Sequence, residues 1–194
     1  MDKYEFNIKV EQIKKMVSRG DYETAMKIAD TIDWHRVRNA SLLSMIAEIY
    51  EKNKEYQEAK DILLLAFERA PIGKRLLYKL TDLALKEGNV AEAEAYYREF
   101  CDLAQDDSRQ YLLRYLILKA KKAPLDQLIR ALETYTAVEV DEKWLYELAE
   151  LYHKGGMGDQ CVRTCDKIML LFGLGKYVEK AMDLKLEYEP LNKY

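Results

Sequence analysis

The sequence predicts an all-α protein, an α-α superhelix of about eleven helices stacked as antiparallel pairs in a single domain over residues 1–194. Three observations carry this expectation. Apolar residues recur at i, i+3, i+4 and i+7 in one segment after another, the spacing that gathers them on one face of a helix. The pattern returns in register every 34 residues. Only eight glycines and three prolines interrupt the chain, whereas a sandwich or barrel needs a turn signal every ~8–12 residues.

The register is clearest in residues 42–71, LLSMIAEIYEKNKEYQEAKDILLLAFERAP. Leu43, Ile46, Ala47 and Tyr50 share one helix face; Asn53, Lys54 and Glu55 form a turn; Ala59, Leu63 and Ala66 share the face of a second helix. Adding 34 gives Leu77, Leu80, Thr81 and Ala84, then Ala93, Tyr97 and Phe100. Adding 102 gives Leu145, Leu148, Ala149 and Tyr152, then Cys161, Cys165 and Ile168. Large residues mostly stay large and small ones small.

Taken in order, the first copy (residues 6–37) keeps Ile13, Met16, Gly20, Tyr22, Ala25 and Ile32 but carries Lys9 and Gln12 at apolar slots. An end repeat has no outer neighbour, so polar residues there cost little. Asp33 is placed to cap the coming helix, and Trp34 to plug the seam with the second copy (residues 40–72). In the third copy (residues 74–105) Gly88 ends one helix, and Asn89 with Glu92 forms a capping box for the next. The fourth (residues 108–138) slips by about one residue, with Pro124 opening a helix whose stripe is Leu125, Leu128 and Leu132. The fifth (residues 142–173) turns at Gly155 and Gly156. A closing helix over residues 176–189 ends at Pro190.

The order large, large, small, aromatic, then a later alanine, a large residue four on and a closing proline resembles the tetratricopeptide repeat family over almost the whole chain. In the second copy Leu43, Ile46, Ala47, Tyr50, Tyr56, Ala59, Leu63, Ala66 and Pro71 fill that pattern, with Lys54 where the family has a turn glycine. The resemblance implies a non-catalytic scaffold that binds a protein or peptide in a concave groove lined by the first helix of each repeat. Helical geometry sets the stripe beside the core at Ser44, Glu48, Tyr78, Asp82, Arg109 and Leu112, and in the fifth copy at Tyr146, Glu150 and His153. Tyrosines beside charges of both signs suit an extended peptide or a partner helix. A subset of the family grips acidic chaperone tails through a lysine and asparagine four apart; here the first inner stripe reads Asn7, Val10, Lys14 and Val17, and the second carries Glu48, so that partner is not expected.

The residues leave two other functions open. The chain fits the N-terminal regulatory or interaction module of a larger enzyme or signalling protein continuing beyond residue 194. The 34-residue period also occurs in RNA-binding helical repeats, but a net charge of −3, with basic and acidic residues mixed throughout, opposes nucleic acid. No apolar run approaches the ~20 residues of a membrane span. Three cysteines without framework spacing and no signal sequence point to the cytoplasm. Composition leaves homo-oligomerisation open.

Neither cofactor, metal nor catalytic residue is expected. Cys161 and Cys165 with His153 give at most three candidate ligands, and both cysteines occupy core slots. Residues 172–176, FGLGK, lack the first glycine and the Ser/Thr of a phosphate-binding loop. Carboxylate neighbours such as Glu139 with Asp141, or Asp106 with Asp107, fall between helices, where capping explains them.

Overall fold

The computed structural model describes residues 1–69 and 73–188. Among these are eleven α-helices and one short 3₁₀ turn, in two compact units that divide between Gln105 and Asp106. The first unit holds α1 (Lys3–Ser18), α2 (Tyr22–Ala29), the 3₁₀ turn Trp34–Arg36, α3 (Ala40–Lys52), α4 (Tyr56–Arg69), α5 (Lys74–Glu87) and α6 (Val90–Leu103). The second holds α7 (Arg109–Ala120), α8 (Leu125–Val138), α9 (Glu142–Lys154), α10 (Gly158–Phe172) and α11 (Lys176–Lys185). Pro71 and Pro190, which the sequence assigns to a repeat end and a helix end, lie outside the described residues.

Short polar side chains start the helices. Asp2, Asp21, Asn39 and Asn89 each accept the backbone amide three residues on, at 2.8–3.1 Å, and Asp141 accepts that of Lys143 at 3.1 Å. Each bond satisfies one of the amides that the first helical turn leaves without a partner. Gly88 ends α5 in the left-handed conformation (φ 87°), which costs a glycine nothing. At the equivalent turn between α3 and α4, Lys54 adopts φ 62° and bears the Cβ penalty that glycine avoids.

In the first unit α1 packs on α2, α3 on α4 and α5 on α6, and the second helix of each pair packs on the first helix of the next. Ala25, Ala29, Ala59, Ala66, Ala84 and Ala93 are fully buried, which lets the helix axes approach closely. Leu43, Ile46, Leu80 and Phe100 fill the space between them, while Tyr97 is half-buried. Polar ties cross the repeats: the Tyr50 hydroxyl donates to Asp30 at 2.7 Å, and Asn53 Nδ2 donates to the Tyr22 carbonyl at 3.0 Å.

The second unit has its own core, from Leu112 and Tyr115 on α7 to Val178, Ala181 and Leu184 on α11. Cys161, Cys165 and Ile168 are fully buried within it. Its last helix ends at Lys185, short of the expected residue 189, because the amides of Glu187 and Tyr188 bond three residues back and tighten the chain into a turn. Tyr188 then lies over Gly158, where an added Cβ would meet its ring at 2.9 Å.

Candidate functional site

Of the nine residues predicted to line a groove, four belong to the first unit and five to the second. Ser44 and Glu48 are exposed on α3. Tyr78 is half-buried, its ring tilted at 60° to that of Phe100 with centroids 6.2 Å apart. Asp82 sits in an ion network, 3.1 Å from Lys86 and 3.6 Å from Lys79, and both lysines also donate to Glu51 Oε1. Burial of the Glu51 carboxyl pushes its pKa up, but the two lysines outweigh this and hold it below the usual value.

In the second unit Arg109 grips Asp107 through Nε and Nη2 at 3.0 and 2.8 Å. Leu112 is 5% exposed and packs in the core. Tyr146 and Tyr177 hold their centroids 6.1 Å apart, with the Lys180 ammonium over both rings at 5.7 and 5.4 Å. Burial, and then the nearby Glu150, raise the Tyr146 hydroxyl above its ordinary pKa. His153 is exposed; its Nδ1 bonds the Tyr188 hydroxyl and its Nε2 lies 3.1 Å from Glu187. Burial raises the thiols of Cys161 and Cys165 above their ordinary pKa, that of Cys165 to about 12.

A groove of about 1060 Å³ lies in the first unit between α1, the segment 32–39 and the start of α3. None of the nine predicted residues lines it, although Asn7, Val10 and Lys14 of the first inner stripe do. Its floor is apolar: Phe6, Val10, Ile32, Val37, Leu42 and Met45. Trp34 builds that floor from behind. Its indole is 4% exposed, Nε1 donates to the Ala29 carbonyl at 3.0 Å, and the ring meets Phe6 edge-on at 6.3 Å. The seam-plugging role read from the sequence is the one Trp34 has, and it fixes the adjoining segment. Arg36 and Arg38 therefore join Lys3 and Lys14 among the lining residues, interleaved with Asp2, Glu11 and Asp33. The composition of the 33–39 segment signals a cap and a plug; that it forms a wall becomes evident only once α1 lies beside it.

With this geometry in place, solved structures offer a comparison. A tetratricopeptide repeat protein from Parabacteroides merdae superposes with a TM-score of 0.74 at 15% identity, covering 96% of this chain and 73% of that one. MamA from Desulfovibrio magneticus gives 0.61 at 16% identity, covering 94% and 96%. The chain has the tetratricopeptide-repeat fold. YrrB, described as a tetratricopeptide repeat protein with an unusual peptide-binding site, gives 0.54 at 17% identity, covering 90% of each chain. No protein-family model and no curated protein matches the sequence. Among the described residues of this tetratricopeptide-repeat fold, no helix is long and apolar enough to cross a membrane.

Proposed function

We propose that the chain is a non-catalytic scaffold that binds a protein or peptide by pre-formed shape, and that the groove between α1, segment 32–39 and α3 is its docking site in the first unit. The observation that carries this is the groove itself: about 1060 Å³, apolar at the floor, charged at the rim, and braced by a buried tryptophan. Rigid walls lower the entropy lost on binding, which favours a partner supplying one extended segment or a short helix. YrrB, a peptide binder on the same fold, supports the reading. Ser44 and Glu48 extend the exposed face of α3 beyond the groove, and the Tyr146–Tyr177 pair with Lys180 offers an aromatic surface in the second unit. The buried, unpaired thiols of Cys161 and Cys165 suit a cytoplasmic location.

The test is selection of peptides from a random displayed library against the intact chain. Ser41 lines the groove with an exposed side chain, so Ser41→Tyr fills it without entering the core, while Ser44→Tyr one turn away serves as control. Selected peptides should lose affinity for Ser41→Tyr and keep it for Ser44→Tyr. The reading fails if no peptide is enriched, or if both variants bind as the parent does.

A further inference from the structure

The groove's charges are not equally committed. Asp2 and Asp33 are occupied by the chain itself: Asp2 Oδ1 accepts the Glu5 amide at 2.8 Å, and Asp33 Oδ1 accepts the His35 amide at 3.1 Å while Oδ2 lies 3.7 Å from Arg36. The backbone bond from His35, and then its side chain, hold the Asp33 carboxyl below the usual range, so it stays an engaged anion. Glu11 lies 3.5 Å from Lys14. Lys3 and Arg38, by contrast, have no ion-pair partner among the described residues, and both line the groove. Glu11 and Asp33 thus have cationic partners, Asp2 is engaged by the backbone, and four rim cations stand against three carboxylates, with Lys3 and Arg38 outside any ion pair among the described residues.

Two helix starts border the groove, and one adds to this surplus. The N-terminal turns of α1 and α3 border the groove through Asp2, Lys3, Ser41 and Leu42. A helix begins with about half a positive charge, carried by amides that no turn above can satisfy. On α1 and α3 the cap side chain takes one amide each. On α1 the Asp2 carboxylate offsets this potential, whereas on α3 the neutral Asn39 cap leaves it directed into the same space as Arg38, above the apolar floor.

Resting on the docking reading above, we propose that the groove selects a protein segment carrying carboxylates directly beside large aliphatic side chains, the aliphatic groups seating on Phe6, Val37 and Met45 and the carboxylates meeting Lys3 and Arg38. Phosphate of a nucleic acid would satisfy the same cations, but the floor favours protein. It offers mainly aliphatic surface, and its one ring, Phe6, is too little for the run of aromatic faces on which successive bases stack.

Fluorescence anisotropy with the full chain tests this, using a labelled peptide rich in glutamate and leucine, its glutamine/leucine, lysine/leucine and glutamate/serine counterparts, and oligouridylate RNA. The glutamate/leucine peptide should bind at least roughly tenfold more tightly than each counterpart, and weaken as salt rises. Lys3→Glu/Arg38→Glu, with unchanged helicity and melting, should lose that preference and gain the lysine/leucine peptide. If the glutamine peptide binds equally well and is blocked by Ser41→Tyr, the groove docks peptides but the acidic preference is wrong. If Ser41→Tyr blocks none of them, the docking reading itself falls. Tight binding of oligouridylate alone would replace the protein partner with RNA.

Discussion

Lys60 provides the sharpest test of how the first unit is held together. It is the one charged side chain buried among the described residues, 1% exposed on α4, and its ammonium pairs with Glu92 at 3.0 Å and with Glu87. Glu87 ends α5 and Glu92 lies in the first turn of α6, so one cation joins three helices. Lys60→Met keeps most of the aliphatic stem and removes the charge, leaving two carboxylates to face each other. Removing one partner from a fully buried pair costs about 3–5 kcal/mol. Glu87 and Glu92 retain 29% and 31% exposure, so water can hydrate them in part, and the expected loss is about 2–3 kcal/mol. For a unit of this size that lowers the melting midpoint by roughly 10–20 °C.

The chain has two tryptophans, Trp34 and Trp144, so in a Trp144→Phe background indole fluorescence reports the first unit. Urea unfolding then measures Lys60→Met, and the triple variant Lys60→Met/Glu87→Gln/Glu92→Gln should recover at least half of the loss. Burial lowers the lysine pKa, but its two glutamates outweigh this and hold it above 10.5. The contribution is therefore complete below the ordinary lysine pKa and disappears as pH rises through the elevated value. A Lys60→Met midpoint unchanged to within about 0.5 kcal/mol, or a triple variant no better than the single one, would refute the reasoning.

The geometry sets three further outcomes. Trp34→Ala, with Trp144 retained, should destabilise the first unit by about 3–5 kcal/mol in urea unfolding followed by circular dichroism, with Trp144 fluorescence as the control for the second unit. Lys54→Gly relieves a left-handed backbone and should stabilise by about 0.5–1 kcal/mol, the Cβ penalty less glycine's entropy cost, read as a raised urea midpoint. The Glu51 carboxyl, held below its ordinary 4.5 by Lys79 and Lys86 against the opposing effect of burial, contributes stability that is present above that value and lost as pH falls through the lowered one. Glu51→Gln should flatten that acid limb in a pH series of melting curves.

The repeat register made the core legible because each position is asked the same packing question every 34 residues. Leu43, Ile46, Ala47 and Tyr50 are buried as their spacing requires, and so are Leu145, Leu148, Ala149 and Tyr152. The register says little where neighbouring copies solve a position differently. Lys60 corresponds to Glu94 and Val162, so its burial comes from Glu87 and Glu92 arriving beside it and from no rule of the repeat. On α7 the buried set is Leu112, Leu113, Tyr115 and Ile117, spread around more than one side, and a stripe drawn by offset cannot then separate lining from core at Leu112. The groove was hidden for another reason. Phe6 and Val37 are distant in sequence and have no shared periodicity; α1 and Trp34 bring them together.

The bracing of that groove divides its residues by how freely evolution can change them. Ile32, Leu42 and the residues around Trp34 also belong to the first unit's core, so altering the floor loosens the fold. Lys3, Arg36 and Arg38 are exposed and carry no core packing, so exchanging their charges costs little stability. A lineage carrying this scaffold could therefore change partners by rewriting the rim while the tryptophan behind the floor stays fixed, and differences among its descendants would collect in charge before they reached shape.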